Sequence, residues 1–458
     1  MSFHTHLSLT FIERVNFVNN ILFSEKLQKI MWQPYYQNYN PITKTHNGII
    51  KELASRLFLS FNEAIMYAEI LINNNIVIIL NKVKTGKGYK IWIPVITLDS
   101  HINKHKIIKK QILNFPPHKF TQILNRALGS LLGLAIGDAL GVTEEIFPQG
   151  SFDNTVNIVL KQRERLKINP LTEIIGSKNF KYLQAGDFTD DTSMALCLAD
   201  SLLIQMKLNI TDLMSRFVNW WDQGLNASIK VIKNNKPVGY SIGLGRNTSI
   251  ALHKFKNDGN PIAGGTDPNK DAGNGAIMRM APVALYWYND VNMAMKMAKM
   301  QAVTTHNLSE ARDGCALMAF IICHAIIGKS KDEIFKSLHL IPKLVNRDII
   351  ELTKSDAAWK TKDETKIYTL PGRTLWSLEA ALWCIYHTDN FKDAMIKAVN
   401  LGGDADTVGA ICGQMAGAIY GLNSIPTSWI NVLKHKSKIE KRAIALINKE
   451  PFTSDMII

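Results

Sequence analysis

Two short stretches place carboxylates where ordinary packing does not need them. "FTDDTSMAL" at 188–196 holds Thr189, Asp190 and Asp191; "GGDADTVGA" at 402–410 holds Asp404, Asp406 and Thr407 behind Gly402 and Gly403. Inside a helix, residues one or two apart do not face a common point. At a helix start they can, because the first residues are only partly helical. Each stretch runs into an apolar, helix-patterned segment, so each acidic set sits at a helix N-terminus. Capping and the helix dipole reward one acid there. They do not explain a pair plus a threonine, since adjacent carboxylates repel. A hard divalent cation removes that repulsion, and Mg²⁺ or Mn²⁺ takes carboxylate and hydroxyl oxygens as ligands. Four carboxylates and two hydroxyls suffice for a pair of such ions, provided the two helix starts meet. Capping alone is the competing reading.

The elements that must position these acids are helices. From residue 121 onward, apolar residues recur at three and four in "NRALGSLLGLAIGDALGVTEEIF", "TSMALCLADSLLIQM", "TDLMSRFVNWWDQG", "MAMKMAKMQAV", "SEARDGCALMAFIICHAIIG", "LWSLEAALWCIYHT", "NFKDAMIKAVNL" and "ADTVGAICGQMAGAIYGL". Strand-like runs are few, so 121–458 reads as one all-α domain. Two of these helices carry glycine every fourth residue: Gly129, Gly133, Gly137 and Gly141, then Gly409, Gly413, Gly417 and Gly421. Interior glycine costs about 1 kcal/mol against alanine. Close backbone approach offsets that cost, and tight packing of each stripe against another element is the expected gain. The same spacing joins membrane-spanning helices, but Asp138 interrupts the first stripe and neither run reads as long enough to span.

Before this domain the chain reads differently. Residues 45–100 show two amphipathic helices and then two strands, "IVIILNKV" and "YKIWIPV", around a Gly-containing turn. Helix, helix, hairpin predicts a small α+β domain of winged-helix type. Lys82, Lys84, Lys87 and Lys90 would lie on its wing, where they could meet nucleic-acid phosphates. Residues 101–120 form a basic linker with Pro116 and Pro117, and residues 1–44 show no clear periodicity. The net charge of +14 is uneven, with roughly +9 falling in residues 1–125. The five cysteines are scattered without a CxxC pair, which argues against zinc and for buried thiols in a reducing cytoplasm. No secretory signal or membrane span is expected.

Taken together, the motifs resemble the ADP-ribosylglycohydrolase family, which includes the ADP-ribosyl-acceptor hydrolases, the bacterial glycohydrolase that reactivates dinitrogenase reductase, and bacterial immunity-type members. The resemblance covers about 125–435. It rests on "GSLLGLAIGDALGVTEEIF", "FTDDTSMAL", "GNGAIMRMAPVALY" at 273–286, "TTHNLSEA" at 304–311 and "GGDADTVGA", in the family's order. It implies an orthogonal all-α bundle with two Mg²⁺ ions in a cleft. The implied metal ligands are Thr189, Asp190, Asp191, Asp404, Asp406 and Thr407. The ADP-ribose site would draw on Gly273, Asn274, Gly275, Gly403 and His306. Asp138 would orient the first helix. The acid after the first motif would be Glu145, with Glu144 competing, because "VTE" replaces the usual residues there.

The implied reaction breaks the bond at the anomeric carbon of ADP-ribose through an oxocarbenium-like transition state. Asp190 or Asp404 would take a proton from the attacking water. The "GNG" backbone would allow close approach to the diphosphate, glycine having no Cβ. No P-loop or strand-borne G-x-G-x-x-G occurs, which disfavours nicotinamide redox chemistry. The expected substrate is an ADP-ribosylated protein, most simply at arginine, with serine also open. A toxin that ADP-ribosylates proteins is the expected adversary of an immunity-type member. The alternative is a binding or inhibitory module that holds such a toxin, or DNA, through the N-terminal region.

Overall fold

A proline starts the first helix of the second unit: Pro117 is the first residue of α1 (Pro117–Gly141), a position where a missing N–H costs nothing. The computed structural model describes residues 78–79, 91–92, 117–143, 171–175, 183–233, 236–369 and 372–458. The chain divides into two units, Met1–Gln111 and Ile112–Ile458. In the first unit, β1 (Ile78–Ile79) pairs antiparallel with β2 (Ile91–Trp92), Ile78 opposite Trp92. Both lie within the runs expected to form strands. The two expected helices before them, the wing lysines Lys82, Lys84, Lys87 and Lys90, and Glu144 and Glu145 lie outside the described residues.

The second unit is helical. After α1 come α2 (Asp190–Gln205), α3 (Ile210–Gln223), a hairpin of β3 (Lys230–Lys233) and β4 (Lys236–Gly239), and α4 (Arg246–Asp258). Then follow α5 (Ala281–Tyr286), α6 (Val291–Ala302), α7 (Ser309–Ile326), α8 (Lys331–Ser337) and α9 (Arg347–Thr353). The chain closes with α10 (Thr374–Tyr386), α11 (Phe391–Asn400), α12 (Ala405–Tyr420), α13 (Thr427–Val432) and α14 (Lys436–Asn448). The peripheral helices carry their own caps. Asn209 caps α3, Asp290 caps α6, Asn346 caps α9, Asn390 caps α11, and Ser330 with Glu333 forms a capping box on α8. The central helices α2 and α12 are buried along nearly their whole length, and their N-cap residues Thr189 and Asp404 make no capping bond with their side chains. A helix apolar on all sides belongs inside a core.

The glycine stripes lock α1 against α12. A Cβ placed on Gly129, Gly133 or Gly137 would stand 2.3, 2.3 or 2.1 Å from the carbonyl oxygens of Gly417, Gly413 and Gly409 respectively. The reciprocal Cβ atoms would come within 1.9–2.4 Å of the first helix's carbonyls. As residue numbers rise on one helix they fall on the other, so the helices run antiparallel, backbone on backbone. The register brings the C-terminal end of α1, with Asp138, to the N-terminal end of α12, with Asp406. One expectation is corrected here. The window Gln122–Gly141 is in fact long and apolar enough to cross a membrane, but 78% of it is buried inside the protein, as in a core helix.

Candidate active site

Asp138 does more than orient its own helix. Its carboxylate accepts from the Thr189 and Thr192 amides at 3.0 Å, from Thr189 Oγ1 at 3.0 Å and from Thr192 Oγ1 at 2.6 Å. A residue of α1 therefore caps α2. This frees the acids of "TDDT" from capping, the role that competed with metal binding in the sequence. Asp191 uses that freedom. It is fully buried, its Oδ1 has no hydrogen-bond partner, and its Oδ2 lies 3.3 Å from Thr189 Oγ1. Asp138, Asp191 and Asp406 each offer an oxygen, and these oxygens lie within 4.8 Å of one another. The two helix starts do meet.

The remaining acids close the ring. Gly402 and Gly403 both take positive φ, +71° and +73°, a turn that glycine makes without a Cβ penalty. That turn presents Asp404, whose Oδ2 accepts from Asn274 Nδ2 at 2.6 Å. Asn274 is pinned in turn: its Nδ2 also donates to Ser377 Oγ, and its amide donates to the Gly372 carbonyl. Asp190 is closed off by a loop, because a Cβ on Gly243, at φ +92°, would lie 2.0 Å from Asp190 Oδ1.

Electrostatics make this cluster costly when it stands alone. Burial raises Asp138 to about 6, overcoming the hydrogen bonds from Thr192 and Thr189 that pull it down. Burial first, then the charges of Asp406, Asp138 and Asp404, holds Asp190 well above the ordinary carboxylate range. Asp191 is raised in the same way by burial, then by Asp138, Asp406, Asp190 and Asp404. Asp404 is raised by burial against hydrogen bonds from Asn274, Thr407 and Asp406. Buried acids that repel one another, one with an orphaned oxygen, are what a hard cation would relieve. The donor set fits Mg²⁺ or Mn²⁺.

The "GNG" loop sits beside the acids, and its glycines answer to a histidine. A Cβ on Gly275 would stand 2.8 Å from His306 Cε1, and one on Gly273 3.0 Å from His306 Nε2. The close approach seen here is thus to an imidazole. His306 is buried, and burial followed by the Arg279 charge lowers it to about 3, so the ring is neutral.

Several residues of this site went unnoticed in the sequence. Segment 372–374 straps the loop down: Gly273 pairs with Arg373, Thr374 Oγ1 donates to the Gly273 carbonyl at 2.7 Å, and the Thr374 amide donates to the Ala272 carbonyl. Arg373 is itself held by Glu310 on α7, at 2.7 Å through Nη2. Gly372, Arg373, Thr374, Ser377 and Gly243 lie in ordinary-looking sequence. The only local hint is the "PGR" break ahead of α10.

A helical bundle whose two central helices bring their acidic starts together at one buried point holds a candidate metal site. A model of the ADP-ribosylglycohydrolase family matches residues 120–454. An ADP-ribosylarginine hydrolase, Tri1, of Serratia proteamaculans is 34% identical over 75% of this chain and 85% of its own length. Its namesake from Pseudomonas putida is 34% identical over 73% and 81%. A solved structure titled ADP-ribosylglycohydrolase-related protein complex is 32% identical, covers 72% of this chain and 99% of its own, and has a TM-score of 0.56. The chain belongs to the ADP-ribosylglycohydrolase family, and it is an enzyme that hydrolyses glycosidic bonds.

Proposed function

We propose that this protein removes ADP-ribose from modified arginine side chains, with two Mg²⁺ ions, replaceable by Mn²⁺, as its cofactor. One observation above all supports the reading: oxygens of Asp138, Asp191 and Asp406, from three different helices, converge within 4.8 Å. The names of the two relatives point to arginine as the acceptor. In this reading Thr189, Asp190, Asp191, Asp404, Asp406 and Thr407 hold the metal, with Asp138 bracing them from behind. A metal held there would orient the sugar and lower the pKa of a bound water. The chain's own residues do the rest. Asn274 fixes the carboxylate of Asp404 in place. Asp404 or Asp190 accepts the proton of the attacking water. Gly273, Asn274 and Gly275, strapped by 372–374, form the wall against which ADP-ribose rests, with His306 packed against the two glycines. Glu145 is the further acid of this proposal, from the segment that follows α1. The five cysteines, all buried and free, suit the cytoplasm.

The finer biological reading, also ours, is protection of the cell against a toxin that ADP-ribosylates proteins. Incubation with ADP-ribosylated arginine and Mg²⁺ tests the chemistry. Free ADP-ribose should appear, and Asp404→Ala should abolish its release while helicity is retained. Release from ADP-ribosylserine but not from ADP-ribosylarginine would reassign the acceptor. No release from either, with metal bound, would remove the reading.

A further inference from the structure

Arg279 is an oddity in this core. Its side chain is fully buried, yet its hydrogen-bond partners are all uncharged: three side-chain oxygens and the Met194 sulfur, 3.9 Å from Nη1. Nε donates to Gln301 Oε1 at 3.0 Å, and Nη2 donates to Thr304 Oγ1 at 3.2 Å and to Thr305 Oγ1 at 2.8 Å. The guanidinium lies over the Phe217 ring, 4.5 Å from its centroid. Burial lowers it only to about 10, so it keeps its charge at neutral pH. One of its partners, Thr305, touches His306 in turn: Thr305 Oγ1 lies 2.8 Å from His306 Nδ1.

We propose that Arg279 and Thr305 fix the tautomer of His306, so that Nε2 carries the ring proton and serves as a hydrogen-bond donor to an acceptor oxygen of ADP-ribose resting on the Gly273–Gly275 loop.

A guanidinium donates and never accepts, so Thr305 Oγ1 must accept from Arg279. The hydroxyl still has one hydrogen to place. Thr305 is fully buried, and a buried donor without an acceptor costs about 1–3 kcal/mol. Among the described residues, the one acceptor recorded for that hydrogen is His306 Nδ1. Nδ1 must therefore be bare. A neutral imidazole carries one proton, and burial together with the nearby Arg279 charge keeps this ring neutral. The proton is then on Nε2. That nitrogen faces the loop: a Cβ on Gly273 would meet it at 3.0 Å, with Asn247 Nδ2 at 3.1 Å. A bare Nε2 would act as a base, whereas a protonated one reads an oxygen. The chain Arg279, Thr305, His306 selects the second. Arg279 and Thr305 are thus positioning residues, acting through His306.

The ligand half of this inference rests on the ADP-ribose site proposed above; the tautomer half does not. The test uses the full chain with ¹⁵N-labelled histidine. Imidazole spectra at neutral pH should show His306 with a proton-bearing Nε2 and a bare Nδ1. Thr305→Val keeps the shape and deletes the donor. It should shift the proton toward Nδ1 and weaken binding of free ADP-ribose about tenfold, equivalent to roughly 1.4 kcal/mol. Thr305→Ser should restore both, which a purely structural role for the threonine would not require. A wild-type spectrum with the proton on Nδ1 overturns the proposal, and so does a Thr305→Val spectrum identical to wild type. A shifted tautomer with unchanged ADP-ribose affinity overturns the donor role. Wild-type protein that binds no ADP-ribose overturns the ligand assignment and the proposed function together, and the spectrum then decides the tautomer alone.

Discussion

Gly137 and Gly409 meet backbone to backbone: a Cβ on Gly137 would lie 2.1 Å from the Gly409 carbonyl oxygen, and one on Gly409 2.4 Å from that of Gly137. The contact lies one residue from Asp138 and three from Asp406, two of the acids whose oxygens converge. Helix packing and the geometry of the acidic cluster are therefore one structural fact.

Gly137→Ala should test that link. The added methyl meets carbonyl backbone, which cannot swing aside as a side-chain tip can. Overpacking of this kind costs about 1–3 kcal/mol. The helices must part, and Asp138 must withdraw from Asp191 and Asp406. Lower thermal stability together with a weaker Mg²⁺ response in the unfolding curve is the expected pair of results. Loss of stability with an unchanged Mg²⁺ midpoint would separate the zipper from the site.

Asp191→Asn should change stability in opposite directions with and without metal. The Asp191 carboxylate is fully buried, has one oxygen without a partner, and is held above its ordinary range by burial and four neighbouring acids. Without metal, removing its charge relieves repulsion, so the variant should unfold at a higher temperature than wild type. With Mg²⁺, wild type should gain and the variant should not, because stabilisation grows with ligand affinity. A variant less stable than wild type in EDTA would argue against the repulsion described here.

Much of this was legible in the residues themselves. The glycine spacing announced close backbone packing, and paired acids at two helix starts announced a shared centre, because both patterns are costly unless something compensates them. What escaped notice depends on tertiary contact. Asp138 reads as one polar residue in an apolar helix, and its work as a cap for α2 is fixed only when Thr189 and Thr192 arrive from fifty residues away. Gly372 and Ser377 hold Asn274 across about a hundred residues and leave no periodic trace. Short helices such as α5, α8 and α9 fell below the length at which periodicity can be read. The β3–β4 hairpin was missed as well, since "KVIKNNKPVG" has little alternation to show.

Acidity should act on the metal-free protein in a predictable direction. Burial sets Asp138 at about 6 when folded, against an ordinary value of 3.8. Between those values the folded chain holds a proton that the unfolded chain has released. The stability this group contributes is complete below the ordinary value and is lost as pH rises through about 6. Protonation of the acidic cluster opposes a cation bound beside it, so Mg²⁺ should stabilise more as pH rises. Melting curves with EDTA and with Mg²⁺, recorded from about pH 4.5 to about pH 7.5, should diverge upward across that window. Parallel curves would mean that the cluster does not titrate with metal.

Gly275→Ala should divide the site into its two halves. The new methyl would stand 2.8 Å from His306 Cε1 and 3.3 Å from Thr248 Oγ1. His306 is buried behind the loop, so ring and loop must separate. Asn274 is pinned independently through Ser377 and Gly372, and that anchor leaves its bond to Asp404 intact. The acids then keep their geometry while the wall for the nucleotide moves. Free ADP-ribose should bind about tenfold more weakly, a loss of roughly 1.4 kcal/mol, while the Mg²⁺ dependence of melting stays at the wild-type midpoint. A shift of both together would show that the histidine loop and the acidic ring move as a single body.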